Sequence, residues 1–337
     1  MERRTHKTVI IGEVAQAHEG SLGRAHAFID MAKECGIDAV KFQTHIAEFE
    51  SSRLEPWRVK FSFQDADRYD YWKRMEFTEE QWKGLVEHAL ESGLEFIGTP
   101  FSIEGFDLLW RNGVKSFKVA SGEISNVFLL KEIAKKAEKI YISSGMSTWS
   151  ELDKAMTIFR DRQSDIVLMQ CTTMYPTPPE FWGLNIIPEM KQRYSIPIGY
   201  SDHSGTIYSG LAASTLGIDA LEVHMCMNKM DFGPDTSSSL TMEEIKRLVT
   251  GVREIDIAIC NIRDKDEVSK QLAGVRSVFS KSLALKHDMK SGTQIDYSDF
   301  LLLKPMIEIP ANQIDNVVGN ILKNDKKKGE FLKYSDI

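Results

Sequence analysis

The run Ser116-Phe-Lys-Val-Ala-Ser-Gly-Glu123 carries a lysine inside an apolar stretch and ends on a hydroxyl and a carboxylate. Buried strands are near-continuously apolar, so a lysine within one is costly unless an anion meets it. An edge-strand lysine reaching solvent would explain a single case, but the pattern recurs. Lys41 sits in Ala39-Val-Lys-Phe-Gln43, and Thr99, Ser143, Thr173 and Ser201 lie at the ends of other apolar runs. Two lysines with hydroxyls from Thr99, Ser121, Ser143, Thr173 and Ser201 would ring an anion of several oxygens, a phosphate or carboxylate, which takes point charges and several donors at once. An ordinary salt bridge is the alternative for each lysine.

His203 and His224 close two consecutive apolar runs, with Asp202 and Glu222 beside them. One such histidine is more often a hydrogen-bonded structural residue. Two at neighbouring strand ends describe an open metal site, completed by water and a substrate oxygen and able to polarise a carbonyl, with the two carboxylates as outer partners. Histidine with oxygen donors suits several divalent ions. Glu13 and Glu123 are candidate bases or hydroxyl binders, and Glu123 is favoured for proton transfer because it shares a strand end with Lys118 and Ser121.

Such residues converge only if the elements bring them together. Apolar runs predict strands at 8–14, 39–43, 94–99, 116–119, 139–143, 165–171, 196–200 and 220–224, each followed by a helical pattern such as Trp82, Leu85, Val86, Ala89. Thr78 with Gln81, Thr148 with Glu151 and Thr241 with Glu244 read as capping boxes that open three of the helices. Unbroken strand-helix alternation predicts an α/β fold, a (β/α)8 TIM barrel with chemistry at the C-terminal strand ends. A doubly wound sheet would want G-x-G-x-x-G after its first strand, which Glu13-Val-Ala-Gln-Ala-His-Glu-Gly20 is not. Because alternate strand residues face opposite ways, the strand through Lys118 must stop or bulge at 120–122 for Ser121 and Glu123 to join it.

Residues 44–77, rich in aromatic and charged side chains, suit a substrate-covering lid or a loop packed on its own barrel or on a partner. Residues 228–239 form a second rim loop. The barrel is expected over 1–262, a linker over 263–280, and a compact, mostly β domain over 281–337, small enough to need support. With 337 residues and a net charge of -7, the chain is no general nucleic-acid binder. Four scattered cysteines suggest neither disulfides nor a zinc ribbon. The N-terminal apolar run is too short for a signal peptide and no run would span a membrane, so a cytoplasmic location is expected by default.

Ile11-Gly-Glu-Val-Ala-Gln-Ala-His-Glu-Gly20, Ala39-Val-Lys-Phe-Gln43, Thr99-Pro-Phe-Ser102, Lys118-Val-Ala-Ser-Gly-Glu123, Ser143-Ser-Gly-Met146, Cys171-Thr-Thr-Met-Tyr-Pro176, Gly199-Tyr-Ser-Asp-His203, Glu222-Val-His224 and Gly233-Pro-Asp235 resemble, in order, the sialic acid (nonulosonate) synthase family. The tail from about Ser282 resembles that family's SAF, or antifreeze-like, C-terminal domain. The resemblance implies condensation of phosphoenolpyruvate with an aldose, usually an N-acylhexosamine, giving a 3-deoxy-2-ulosonic acid and phosphate. It places phosphoenolpyruvate on Lys41, Thr99, Lys118, Ser121, Ser143, Thr173, Tyr175 and Ser201. It gives His203 and His224 a divalent metal, typically Mn2+ with Mg2+ or Co2+ as substitutes, and makes Glu123 the catalytic carboxylate. Glu13 and Asp235 would bind sugar hydroxyls. A domain-swapped homodimer is implied, in which Phe279 and the segment around Lys304 close the neighbouring subunit's site.

Departures from the family pattern bear on the sugar. Lys304-Pro-Met306 stands where Arg-Pro-Gly is usual, and lysine lacks the planar fork that would read an acylamino group. Ala17-His-Glu-Gly20 replaces Asn-His-Asn-Gly, and Thr173 an asparagine. An aldose without the acylamino group, a synthase for an eight- or seven-carbon ulosonate, and a catalytically silent assembly protein are the competing expectations.

Overall fold

The structure, a computed structural model, describes residues 7–337, apart from the side chains of residues 163–165. The basic N-terminal residues 1–6, part of the signal-peptide reading, lie outside the described residues. The chain divides into two compact units, Met1–Asn261 and Ile262–Ile337.

In the first unit, β1 (Val9–Glu13), β2 (Ala39–Thr44), β3 (Glu95–Pro100), β4 (Ser116–Val119), β5 (Lys139–Ser143), β6 (Ile166–Cys171), β7 (Ile198–Asp202) and β8 (Ala220–His224) close a parallel barrel in chain order. The helices are α1 (Leu22–Glu34), α2 (Ala47–Glu50), α3 (Arg68–Met75), α4 (Glu79–Glu91) and α5 (Ile103–Arg111). They continue with α6 (Val127–Lys136), α7 (Trp149–Ile158), α8 (Ile186–Tyr194), α9 (Tyr208–Thr215) and α10 (Met242–Cys260). The main apolar core includes side chains from these helices, such as Phe28, Trp82, Leu129 and Leu248, together with strand residues such as Phe42 and Leu168. A second apolar cluster draws Ile11, Ile97, Tyr141, Val167 and Met169 from four strands, so the barrel centre is packed and no pore.

Register explains why polar residues gather at one level. Glu13 lies opposite Lys41 on one side and His224 on the other, and Ser201 lies opposite Glu222. Close packing at Gly12 also depends on the missing side chain, since a Cβ there would come within 2.5 Å of Met225 Sδ. All three expected capping boxes form, opening α4, α7 and α10. β4 ends at Val119, and a 3-10 turn over Ser121–Glu123 frees the hydroxyl and carboxylate from the strand's alternation. Observed strands differ from the expected ones mainly at β7, which starts after Pro197 and carries Ser201 and Asp202 within it. Proline has no N–H to give a ladder, so the strand is displaced toward the site.

Residues 44–77 are no bare loop. They contain α2 and α3, and Ala47, Tyr71, Trp72 and Met75 form a local core against which Trp57, Phe61 and Tyr69 pack. The segment reaches the other rim loop through Phe61 and Phe232, whose ring centroids lie 5.4 Å apart.

In the second unit the expected linker is corrected: residues 263–280 hold two helices, α11 (Lys265–Gln271) and α12 (Ala273–Phe279). Asp264 caps the first by accepting from Asp266 N and Glu267 N, which the charged composition concealed. β9 (Ser282–Leu285) and β10 (Phe300–Leu303) pair antiparallel over a core of Leu283, Leu285, Met289, Ile295, Ile309, Val317, Leu322 and Leu332.

Candidate active site

Lys118 and Lys41 enter the barrel from β4 and β2 and are buried with two carboxylates. Lys118 Nζ donates to Glu222 Oε2 at 2.6 Å, Lys41 Nζ lies 3.6 Å from Glu222 Oε1, and Lys41 also pairs with Glu13. Hydroxyls attach to the same cluster: Lys41 Nζ donates to Thr99 Oγ1 at 3.2 Å, and Ser201 Oγ donates to Glu222 Oε1 at 3.1 Å. Burial opposes the charge on Glu222, but the two ammonium groups outweigh it and hold its carboxyl well below the usual range. Burial pulls Lys118 down, only partly offset by Glu222 and reinforced by the repulsion from Lys41. Burial also raises Glu13, although Lys41 works the other way. Glu13 and Lys118 are thus the two of the four whose burial is not fully offset.

Three more hydroxyls stand close by. Ser143 is buried at the end of β5, Thr173 Oγ1 is buried without a hydrogen-bond partner among the described residues, and Ser121 Oγ lies 3.8 Å from Cys171 Sγ. Gly145, at φ +31°, is needed between them. A Cβ there would overlap Ser121 Oγ at 2.0 Å and Thr173 Oγ1 at 2.7 Å. Space is thus kept open where two hydroxyls face one another.

His203 and His224 adjoin this cluster, with ring centroids 5.2 Å apart and both side chains buried. His203 Nδ1 lies 2.8 Å from the Thr172 carbonyl oxygen, which assigns the proton to Nδ1 and turns Nε2 toward the Tyr175 hydroxyl at 3.2 Å. Burial disfavours charge on His203, yet the Cys171 sulfur near Nδ1 outweighs it and lifts the imidazole to about 9. Burial keeps His224 neutral, pushed down to about 3. No group of three or more His, Cys, Asp or Glu among the described residues is arranged to hold a metal. The donor set nevertheless fits an open site once a cation displaces the proton on His203 Nε2: two imidazole nitrogens, one with its far nitrogen anchored on a carbonyl, leaving other positions to water or substrate.

Above the cluster lies a pocket of about 340 Å³. Its lining includes Ser121, Glu123, Thr173, Tyr175 and Asp235 together with Gln16, Gln43, His45, Arg58, Arg68 and Trp72. Glu123 is half-buried, its Oε2 accepts from Asn126 Nδ2 at 2.7 Å, and burial raises its carboxyl against that bond. A pocket of about 380 Å³ between α6 and α7 shares only Ser121, Gly122 and Met146 with this one and is otherwise lined by residues outside the expected site, such as Ile124, Glu151 and Lys154.

Most expected site residues of the first unit therefore meet at one barrel mouth. Two expectations are corrected. Glu13, assigned to sugar hydroxyls, is fully enclosed below the pocket, where Gln43 Nε2 donates to it at 2.8 Å. Asp202, expected beside a metal-bound histidine, instead accepts from Ser204 N at 3.0 Å and Ser204 Oγ at 2.9 Å, shaping the β7 exit. Phe279 and Lys304 belong to the second unit, where Lys304 Nζ lies 5.3 Å from the Phe279 ring centroid. Sequence reasoning treated Glu222 as a partner of the histidines, whereas it is the counter-ion of both lysines. It missed His45, which is stacked between Trp72 and Phe101 at 4.0 and 4.5 Å and bonded to Glu50 at 2.6 Å. It also missed Arg58, for which only the aromatic and charged character of residues 44–77 was a signal.

Comparison with known proteins agrees with this geometry. The chain matches the NeuB family over residues 28–264 and the SAF domain over residues 280–337. It is 36% identical to the human N-acetylneuraminate-9-phosphate synthase, over 96% of this chain and 95% of that protein. It is 32% identical to N,N'-diacetyllegionaminic acid synthase of Campylobacter jejuni, over 97% of this chain and 99% of that one. The crystal structure of the N-acetylneuraminic acid (sialic acid) synthetase of Leptospira borgpetersenii superposes with a TM-score of 0.71 at 27% identity, covering 81% of this chain and 92% of that chain. A barrel whose mouth gathers two buried lysines, two histidines and a half-buried glutamate, followed by an SAF domain, thus belongs to the NeuB family of sialic acid synthases.

Proposed function

We propose that this protein condenses phosphoenolpyruvate with an aldose, an N-acylhexosamine or related sugar, to give a 3-deoxy-2-ulosonic acid and phosphate, as a transferase. Family membership supports a ulosonate synthase, and the observation that carries the phosphoenolpyruvate assignment is the buried Lys41–Lys118 pair with its surrounding hydroxyls. A trianionic substrate needs that many donors, and a dry site strengthens each of them.

Lys41, Lys118, Thr99, Ser121, Ser143, Thr173 and Ser201 would hold the phosphate and carboxylate of phosphoenolpyruvate, with Tyr175 beside them. A divalent cation, Mn2+ or a similar ion, held by His203 and His224 would supply Lewis acidity toward the aldehyde oxygen. C3 of phosphoenolpyruvate forms the new bond to the aldehyde carbon, the aldehyde oxygen takes up a proton, and positive charge develops at C2. Glu123, whose carboxyl is raised by burial, accepts a proton from the water that adds to C2. The C2 hydroxyl then loses its proton as the C2–O bond to phosphate breaks, leaving the ketone and inorganic phosphate. Asp235 and Gln43 would hold sugar hydroxyls in the pocket, and holding both reactants in one enclosed site lowers the barrier further. The swapped dimer, with Phe279 and Lys304 completing a neighbour's site, is part of the same proposal.

Phosphate release from phosphoenolpyruvate with a panel of aldoses, with and without chelator, tests this reading. Release is expected with at least one aldose, abolished by chelator and cut at least a hundredfold in His203→Ala and Glu123→Gln. Undiminished release in either variant removes that residue's role, and release with no aldose in the panel removes the function.

A further inference from the structure

Arg58 holds an unusual position for a residue of a rim segment. Its guanidinium lies over the Tyr175 ring, 4.3 Å from the centroid, and Nη2 donates to Asp235 Oδ1 at 2.5 Å. Stacking and ion pair together fix a side chain that is otherwise long and mobile. Among the described residues, only Nη2 has hydrogen-bond partners, Asp235 and the Pro234 carbonyl, so Nη1 and Nε remain as donors. The residue lines the 340 Å³ pocket and also an adjoining recess of about 40 Å³ walled by Trp57, Phe61, Tyr71, Trp72 and Pro234.

Charge and size limit what such a site accepts. The pocket wall carries Glu50, Glu55, Glu123 and Asp235 against Arg58 and Arg68. Each guanidinium already faces a carboxylate, Arg58 on Asp235 and Arg68 on Glu55 at 3.2 Å. A second phosphate entering here would meet a surplus of negative charge, in contrast to the lysine cluster, where two ammonium groups balance two carboxylates among several hydroxyls. The unused donors suit a neutral oxygen instead. A recess of about 40 Å³ is too small for a sugar ring but has room for a small substituent, well above the roughly 10–15 Å³ that a water needs on the same measure. Four aromatic rings line it together with Val59, Pro234, Gln16 and Arg68, and one of the four, Tyr71, has a buried hydroxyl without a partner among the described residues. A carbonyl next to a methyl is an acetyl group, which an N-acylhexosamine carries as its acetamido substituent.

We infer that Arg58 is a specificity-determining, substrate-binding residue that donates to the acylamino carbonyl of an unphosphorylated aldose, with the acyl methyl seated among Trp57, Phe61 and Trp72. The inference rests on the aldose reading of the pocket. Lysine at position 58 keeps the ion pair with Asp235 but loses the planar fork, so it separates substrate binding from a mere fastening of the rim segment.

Two readouts test it: steady-state phosphate release with N-acetylmannosamine, its 6-phosphate and mannosamine, and tryptophan fluorescence on titration with N-acetylmannosamine, for which Trp57 and Trp72 are reporters. Arg58→Ala and Arg58→Lys should each raise the KM for the acetylated sugar by about ten- to a hundredfold, the worth of one charge-assisted hydrogen bond. The KM for phosphoenolpyruvate should stay within about twofold, and thermal stability of Arg58→Lys should match the parent. Wild-type preference for the 6-phosphate or for mannosamine, or a near-parental sugar KM in Arg58→Lys, overturns the inference. Absence of turnover with every sugar refutes the proposed function instead, and the fluorescence titration then decides Arg58 by itself: no saturable signal in the wild type overturns it.

Discussion

Lys118→Met removes one ammonium group while nearly conserving volume, and its consequence can be worked from the geometry. Glu222 loses a partner at 2.6 Å and keeps only Lys41 at 3.6 Å and the Ser201 hydroxyl at 3.1 Å. Breaking a buried pair from one side costs about 3–5 kcal/mol, and the remaining partners place this case near about 3 kcal/mol. Removing both members by Lys118→Met with Glu222→Met should be much milder, giving a coupling of about 2 kcal/mol or more in a double-mutant cycle. The deficit should also depend on pH. In the parent, Glu222 titrates below its unfolded value, so it adds stability above the unfolded pKa that is lost as pH falls through the folded one. Burial is already the largest single influence, and without Lys118 it is no longer outweighed, so the folded pKa rises above the unfolded value. The variant should then recover part of its deficit as pH drops from 7.5 toward 5, where the parent recovers nothing from this group. Urea unfolding of the four proteins at the two pH values measures all of this. A Lys118→Met variant within about 0.5 kcal/mol of the parent at pH 7.5 would refute the claim that the two charges are buried against each other.

Three further outcomes follow from the site. Gly145→Ala puts a Cβ onto the Ser121 and Thr173 hydroxyls, so the KM for phosphoenolpyruvate should rise at least tenfold with the aldose KM little changed; equal effects on both would contradict the placement. The pH profile of kcat/KM should fall on its acid side as Glu123, raised by burial, takes up a proton, and Glu123→Gln should lose that limb along with most activity. Asp256 accepts from Thr8 N at 3.0 Å and Thr8 Oγ1 at 2.7 Å, joining α10 to the chain entering β1, so Asp256→Asn should cost about 1–3 kcal/mol of stability while leaving KM values unchanged.

Much of the barrel was legible because parallel strands buried on both faces read as apolar runs and their helices carry capping boxes. Lysines within such runs are conspicuous, and so Lys41 and Lys118 could be named before any geometry. Their shared counter-ion could not, since Glu222 and Lys118 lie 104 positions apart, on β8 and β4, and only barrel closure unites them. Glu13 was misplaced for a related reason: a carboxylate at a strand end can point to the pocket or below it, and the pairing with Lys41 decides. Residues 263–280 looked like a linker because their two helices are only seven residues each and the first, Lys265–Gln271, is too charged to show an apolar stripe. Arg58 and His45 were hidden because their segment has no strand or helix period, and their roles arise from stacking on Tyr175, Trp72 and Phe101. Lys304 alone suggested that an acylamino reader was missing, whereas the barrel unit itself presents a guanidinium to the pocket.

The central claim is a carbon–carbon bond made between phosphoenolpyruvate and an aldose at this barrel mouth. Mass spectrometry of the complete reaction with N-acetylmannosamine and Mn2+, alongside phosphate determination, tests it most directly. The account predicts a product with the mass of the sugar plus a pyruvic acid unit, formed in equal amount to phosphate. Phosphate accompanied by free pyruvate, with the sugar unchanged, would contradict it.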